Sequence, residues 1–152
     1  MSSMLQVRAD ARPECIRPLR DAVASLARET GLSSVQVYAV KLCVGEAIAN
    51  AVVHAYPERE RGTIDVSVRE VGDEFAVLVA DHGRKRVHQP RHSGDEGGLG
   101  LAFISRLMDG CTFTAASDGT SVEMLFPFPR GATSVEPSAR MPFQHRLAGR
   151  VV

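Results

Sequence analysis

At 152 residues, 44% of them hydrophobic and 24% charged, the chain has the size and ordinary composition of one soluble globular domain with a sizeable core. Lys and Arg number 18, as do Asp and Glu, so the formal charge of +0 supplies no global field to recruit nucleic acid or a membrane surface. The longest apolar runs look far short of a bilayer span, and Met1–Asp10 lacks the basic-then-apolar layout of a secretory signal. Cys15, Cys43 and Cys111 are scattered and form no C-x-x-C pair, which argues for a reducing cytosol and core filling, against a disulfide frame or zinc site.

Met4–Ala9 alternates as a short strand with Leu5 and Val7 on one side. Pro13 suits the first turn of a helix, and Ile16, Leu19, Val23, Leu26 and Ala27 carry the helical spacing to about Glu29, with Gly31 ending it. Ser33 and Gln36 form a capping-box pattern that opens a second helix, which ends near Pro57. Thr63–Glu70 and Glu74–Ala80 predict a hairpin turning at Gly72-Asp73, and the denser apolar run of the second strand predicts a central place in the sheet. A polar stretch rich in Gly, His and Arg follows Asp81, of a length that in a compact domain is a functional lid or a disordered segment. Leu99–Met108 restores helical spacing, closed by Gly110, and Thr112–Ala116 with Ser121–Phe128 predicts a second hairpin turning at Asp118-Gly119. Residues 1–128 then form the domain and 129–152 a mostly disordered tail. The order of elements predicts a two-layer α/β sandwich: one mixed, largely antiparallel sheet with helices on one face.

The second helix holds the densest chemistry. Glu46, Asn50 and His54 recur every four residues, which stacks them at roughly 5–6 Å between Cβ atoms. A carboxylate and an amide so placed can share a hard cation such as Mg²⁺, although a plain amphipathic helix with its polar edge in water has the same pattern. Asp81 ends an apolar strand, with Gly83 two residues on, a placement suited to an exocyclic amine such as that of adenine and equally to an ordinary turn. Gly97-Gly98-Leu99-Gly100-Leu101 opens a helix, where backbone N–H groups and the helix dipole favour phosphate, or where glycines serve as a hinge. Gly119-Thr120-Ser121 offers a hydroxyl at a hairpin turn, where the hairpin alone explains the residues.

In this order, E-x-x-x-N-x-x-x-H-A-Y, D-x-G, G-G-L-G-L-x-x-I-x-x-L-M-D and G-T resemble the histidine-kinase-like ATPases of the GHKL superfamily, over roughly residues 5–128. Within it the chain is similar to the small anti-sigma-factor serine/threonine kinases of bacterial partner switching. The resemblance implies a Bergerat-type ATP-binding fold with an ATP lid, and ATP and Mg²⁺ as cofactors. It implies that Asn50 holds Mg²⁺, that Glu46 is the general base, and that Asp81 binds the adenine amine with Gly83 giving room for the ring. Gly98, Leu99, Gly100 and Leu101 would border the phosphates, and Thr120 would help fix the base or a nearby water. The implied partners are a sigma factor and a STAS-type antagonist in the cytoplasm, with a homodimer formed through the first strand and helix, and no direct nucleic-acid or membrane contact. Lys85 departs from the family's D-x-G-x-G, since a side chain there disfavours positive φ. That departure supports the rival reading of a non-catalytic module that sequesters a partner. Around it Arg84, Arg86, Arg91, His82, His88 and His92 could offset phosphate charge or form a solvated basic loop.

Overall fold

In a computed structural model the chain is described over residues 3–56, 61–83 and 107–129. The elements are β1 (Ser3–Asp10), α1 (Pro13–Glu29), α2 (Ser34–His54), β2 (Thr63–Val71), β3 (Glu74–Asp81), β4 (Gly110–Ala116) and β5 (Gly119–Pro127). They form a five-stranded sheet in the order β1-β2-β3-β5-β4. Every pairing among the described strands is antiparallel, so the mixed sheet expected from the sequence is antiparallel throughout this part. β3 is central, as its apolar density predicts. The boundary expected at residue 128 falls beside the end of β5, and 130–152 lie outside the described residues.

One face of the sheet carries the core. Ile64, Val66 and Val68 of β2, Phe75 and Val77 of β3 and Phe126 of β5 are each 0% exposed, beneath Val40, Val44 and Ile48 of α2 and Val23 and Ala27 of α1. Alternation along β3 puts Phe75, Val77, Val79 and Asp81 on this same face, so the strand's last inward position is a carboxylate. By length and composition α2 passes as a membrane-crossing helix, unlike the reading from uninterrupted apolar runs. Its burial of Val40, Val44 and Ile48 against the sheet is that of a core helix.

Local signals set the ends. Ser33 Oγ accepts the Gln36 N–H at 3.3 Å while Ser33 N–H donates to Gln36 Oε1 at 3.0 Å, the expected capping box. The Gln36 side-chain amide also donates to the Pro127 carbonyl, fastening the start of α2 to the end of β5. α2 stops at His54, capped by Ala55, short of Pro57. Gly110 begins β4, and the last hairpin turns at Ser117-Asp118 with Gly119 already paired to Ala116. The helix expected over Leu99–Met108 falls largely outside the described residues.

Candidate functional site

Three ends of chain meet where β3 stops. Asp81 and Thr120 are opposite each other in the β3–β5 register, although 39 residues separate them in sequence. The Asp81 carboxylate, 6% exposed, accepts the Gly83 N–H at 3.0 Å on Oδ1 and the Thr120 hydroxyl on Oδ2. A carboxylate offers about four acceptor positions. Two are used, so the group retains acceptor capacity and has nothing to donate. Thr120, having given its proton to Asp81, likewise presents only lone pairs. This corner suits a ligand edge that brings N–H donors.

Glycines make the corner compact. A Cβ at Gly83 would meet the Ala55 carbonyl oxygen at 1.9 Å, so the position must be glycine for the end of α2 to press against the β3 turn. On the side a Cβ would take, the space at Gly83 is filled by the helix end. Gly119 has φ +150°, and a Cβ there would meet the Asp81 carbonyl at 2.0 Å. Both glycines therefore serve the close approach of backbone to backbone around Asp81.

On α2 the expected polar residues are at the surface. Glu46, Asn50 and His54 are all exposed, beside the buried Val44, Ile48 and Ala51. Asn50 shares a side of the helix with Cys43 and Ala47, and Cys43 Sγ meets Met108 Sδ at 3.7 Å. Glu46 falls with Leu42 and Ala49 and borders a cavity of about 310 Å³ shared with Ile16, Arg20 and Lys41 of the α1–α2 pair. The two residues are thus one turn apart along α2, both open to an incoming group. His54, in the last turn, is placed for a favourable interaction with the helix dipole. Cys15 and Cys43 are half-buried against the core, as expected, whereas Cys111 is exposed; burial above all, then Cys111 and Glu46 nearby, pushes the Cys43 thiol up to about 11.

Among the described residues no group of three or more His, Cys, Asp or Glu could hold an ion by itself. A Mg²⁺ ion fits Asn50 only as a species carried by phosphates, which is the usual way Mg²⁺ is bound, with few protein ligands and several from water and substrate. Asp81, already committed to Gly83 and Thr120, fits a nucleobase amine better than a metal.

Gly98, Leu99, Gly100, Leu101, Lys85, Arg84, Arg86, Arg91, His88 and His92 lie outside the described residues. His82 is described: its Nε2 is 2.7 Å from Asp65 Oδ2, and Asp65 is held on its other side by Arg8 at 2.6 and 2.8 Å. The Arg8 guanidinium, with His82 adding to it, holds the Asp65 carboxyl down at about 2. His82 is therefore occupied by an ion-pair cluster beside the sheet, a role its lid-like sequence context does not suggest. Tyr56 is a residue to which the sequence alone assigns no role. Its only signal was its place at the end of the H-A-Y run.

Residues 9–126 match the family described as Histidine kinase-like ATPase domain. Among curated proteins, a Serine-protein kinase RsbW of Oceanobacillus iheyensis is 31% identical over 118 residues, 69% of this chain and 75% of that protein. The Serine-protein kinase RsbW of Bacillus subtilis is 31% identical over 118 residues, 69% of this chain and 74% of its own. That of Listeria innocua is 32% identical over 122 residues, 72% of this chain and 78% of its own. A crystal structure of the RsbU and RsbW domains of a Mycobacterium tuberculosis protein overlays with a TM-score of 0.62 at 21% identity, covering 88% of this chain and 35% of that one, and shares its fold. An antiparallel sheet under two helices, an inward acid ending its central strand, and these matches together place the chain in the histidine kinase-like ATPase domain family, among the relatives of the RsbW serine-protein kinases.

Proposed function

We propose that this protein is an ATP-dependent serine-protein kinase that phosphorylates an anti-sigma-factor antagonist and, as an anti-sigma factor, holds a sigma factor in a bacterial partner-switching system. The observation that carries the reading is the buried Asp81 carboxylate held by the half-buried Thr120 beside the end of α2, an acceptor-only corner at the end of the helix that carries the exposed Glu46 and Asn50. Asp81 accepts the adenine amine, and Thr120 keeps the carboxylate aimed. Guanine presents an acceptor oxygen where adenine presents that amine, so the same corner disfavours GTP.

Asn50 would hold Mg²⁺, which when bound neutralises phosphate charge and orients the terminal phosphoryl group. Glu46, solvent-facing, is placed to take the proton from an attacking serine hydroxyl. The serine oxygen bonds to the terminal phosphorus, the bond to the ADP oxygen breaks, and the proton leaves on Glu46. Such transfer depends on positioning and charge neutralisation more than on covalent help from protein. β1, at an edge of the described sheet, supports a homodimer built through that strand and α1.

The test is to incubate the purified protein with γ-labelled Mg-ATP and a STAS-type antagonist. The reading expects label on an antagonist serine, lost in Glu46→Gln while ATP still binds. Antagonist bound without label by the wild type would leave only the sequestering module.

A further inference from the structure

Tyr56, two residues beyond α2, has the full capacity of its hydroxyl in use. It donates to the Thr63 carbonyl at 2.6 Å and accepts the Thr63 N–H at 3.1 Å and the His82 N–H at 3.0 Å. A hydroxyl has one proton and two lone pairs, so three backbone groups from the start of β2 and the turn after β3 saturate one oxygen. The ring is seated over Gly62, where a Cβ would be 2.0 Å from it. His82 is the residue between Asp81 and Gly83. Its N–H is held by Tyr56, the next N–H is held by Asp81 Oδ1 at 3.0 Å, and Gly83 abuts the Ala55 carbonyl. The turn that aims the carboxylate is therefore clamped from α2 at one atom.

We infer that Tyr56 is a positioning residue for base selection: through the His82 N–H it fixes the Asp81 carboxylate in the orientation that favours a purine carrying an amine. This rests on the reading of Asp81 as the adenine seat. Removing the hydroxyl leaves the His82 N–H and the Thr63 groups without their partner, while the ring still fills its space over Gly62. The turn can then rotate, and the discrimination between amine and carbonyl relaxes. Binding of the phosphates, which does not involve this turn, stays as it was.

The test is titration of Mg-ATP, Mg-GTP and Mg-tripolyphosphate into the wild type, Tyr56→Phe and Asp81→Asn, with a thermal melt of each. Tyr56→Phe is expected to weaken ATP by roughly 3- to 10-fold, the worth of about one hydrogen bond, to narrow the ATP-over-GTP preference, and to leave tripolyphosphate unchanged. An equal loss for ATP and tripolyphosphate would show a general structural role and overturn the inference. No ATP preference in the wild type would overturn the adenine seat and the clamp with it. A preference abolished in Asp81→Asn but intact in Tyr56→Phe would overturn the clamp alone. If Tyr56→Phe does not fold, fluorotyrosine can be introduced in a Tyr38→Phe background, since the chain has only 2 tyrosines. Its ¹⁹F resonance is expected to move with ATP and not with tripolyphosphate. A resonance indifferent to ATP would count against the clamp.

Discussion

The corner at the end of β3 and the outer side of α2 are built in opposite ways. Asp81 is buried, doubly hydrogen-bonded and walled by glycines that admit backbone within contact distance. Glu46 and Asn50 project from a helix whose other side is core, and are exposed. Each construction suits a different kind of work. Recognition of a base needs an acceptor fixed before the ligand arrives, and burial with two fixed partners and spare lone pairs supplies that. Handling of phosphate and of a foreign hydroxyl needs groups reachable from solvent. A change in the corner should therefore cost stability and binding together, whereas a change on the exposed side should cost function alone.

The exposed side of α2 should show the strongest response. Glu46→Gln should lower phosphoryl transfer by about 10²- to 10⁴-fold, the usual worth of a general base, with ATP affinity and melting temperature unchanged in titration and calorimetry. Next comes Asp81→Ala, which orphans the Gly83 N–H and the Thr120 hydroxyl. It should lose about 1–3 kcal/mol of stability in denaturant melts and measurable ATP binding along with it. Loss of one without the other would separate seat from scaffold. Asn50→Ala should remove the Mg²⁺ dependence of ATP binding without shifting the melt, and equal Mg²⁺ dependence in both proteins takes Asn50 out of the metal site.

The smallest effect concerns acid. Asp65 is held at about 2 by Arg8 and His82, below its unfolded value. Its contribution is present in full above the ordinary aspartate range and is lost as pH falls from there through about 2. Asp65→Asn should lower stability slightly at neutral pH and flatten that part of the stability-against-pH curve by the same small amount, read by circular dichroism, because the partners are partly exposed.

What the sequence disclosed follows the range of the interactions involved. Helix α1 and the Ser33–Gln36 capping box are written in neighbours three and four apart, and the apolar density of Phe75–Ala80 announces a strand covered by others on both sides. The acid and the hydroxyl of the corner were singled out as separate fragments. Their contact depends on strand register, which periodicity does not encode. Tyr56 escaped notice because its partners are Thr63 and His82, the latter 26 residues away, and a tyrosine after a helix has no pattern of its own. The contact at Gly83 is hidden for the same reason: only the folded chain brings the Ala55 carbonyl to it. His82, among so many lid-like Arg and His residues, could not be told from them until Asp65 was placed beside it.

The most direct test is a crystal structure of the protein with Mg²⁺ and a non-hydrolysable ATP analogue. One nucleotide should span both regions, its adenine amine within hydrogen-bonding reach of Asp81 and its metal ion on Asn50, with Glu46 facing the terminal phosphate. A nucleotide whose base avoids Asp81, or whose ion leaves Asn50 untouched, contradicts the account.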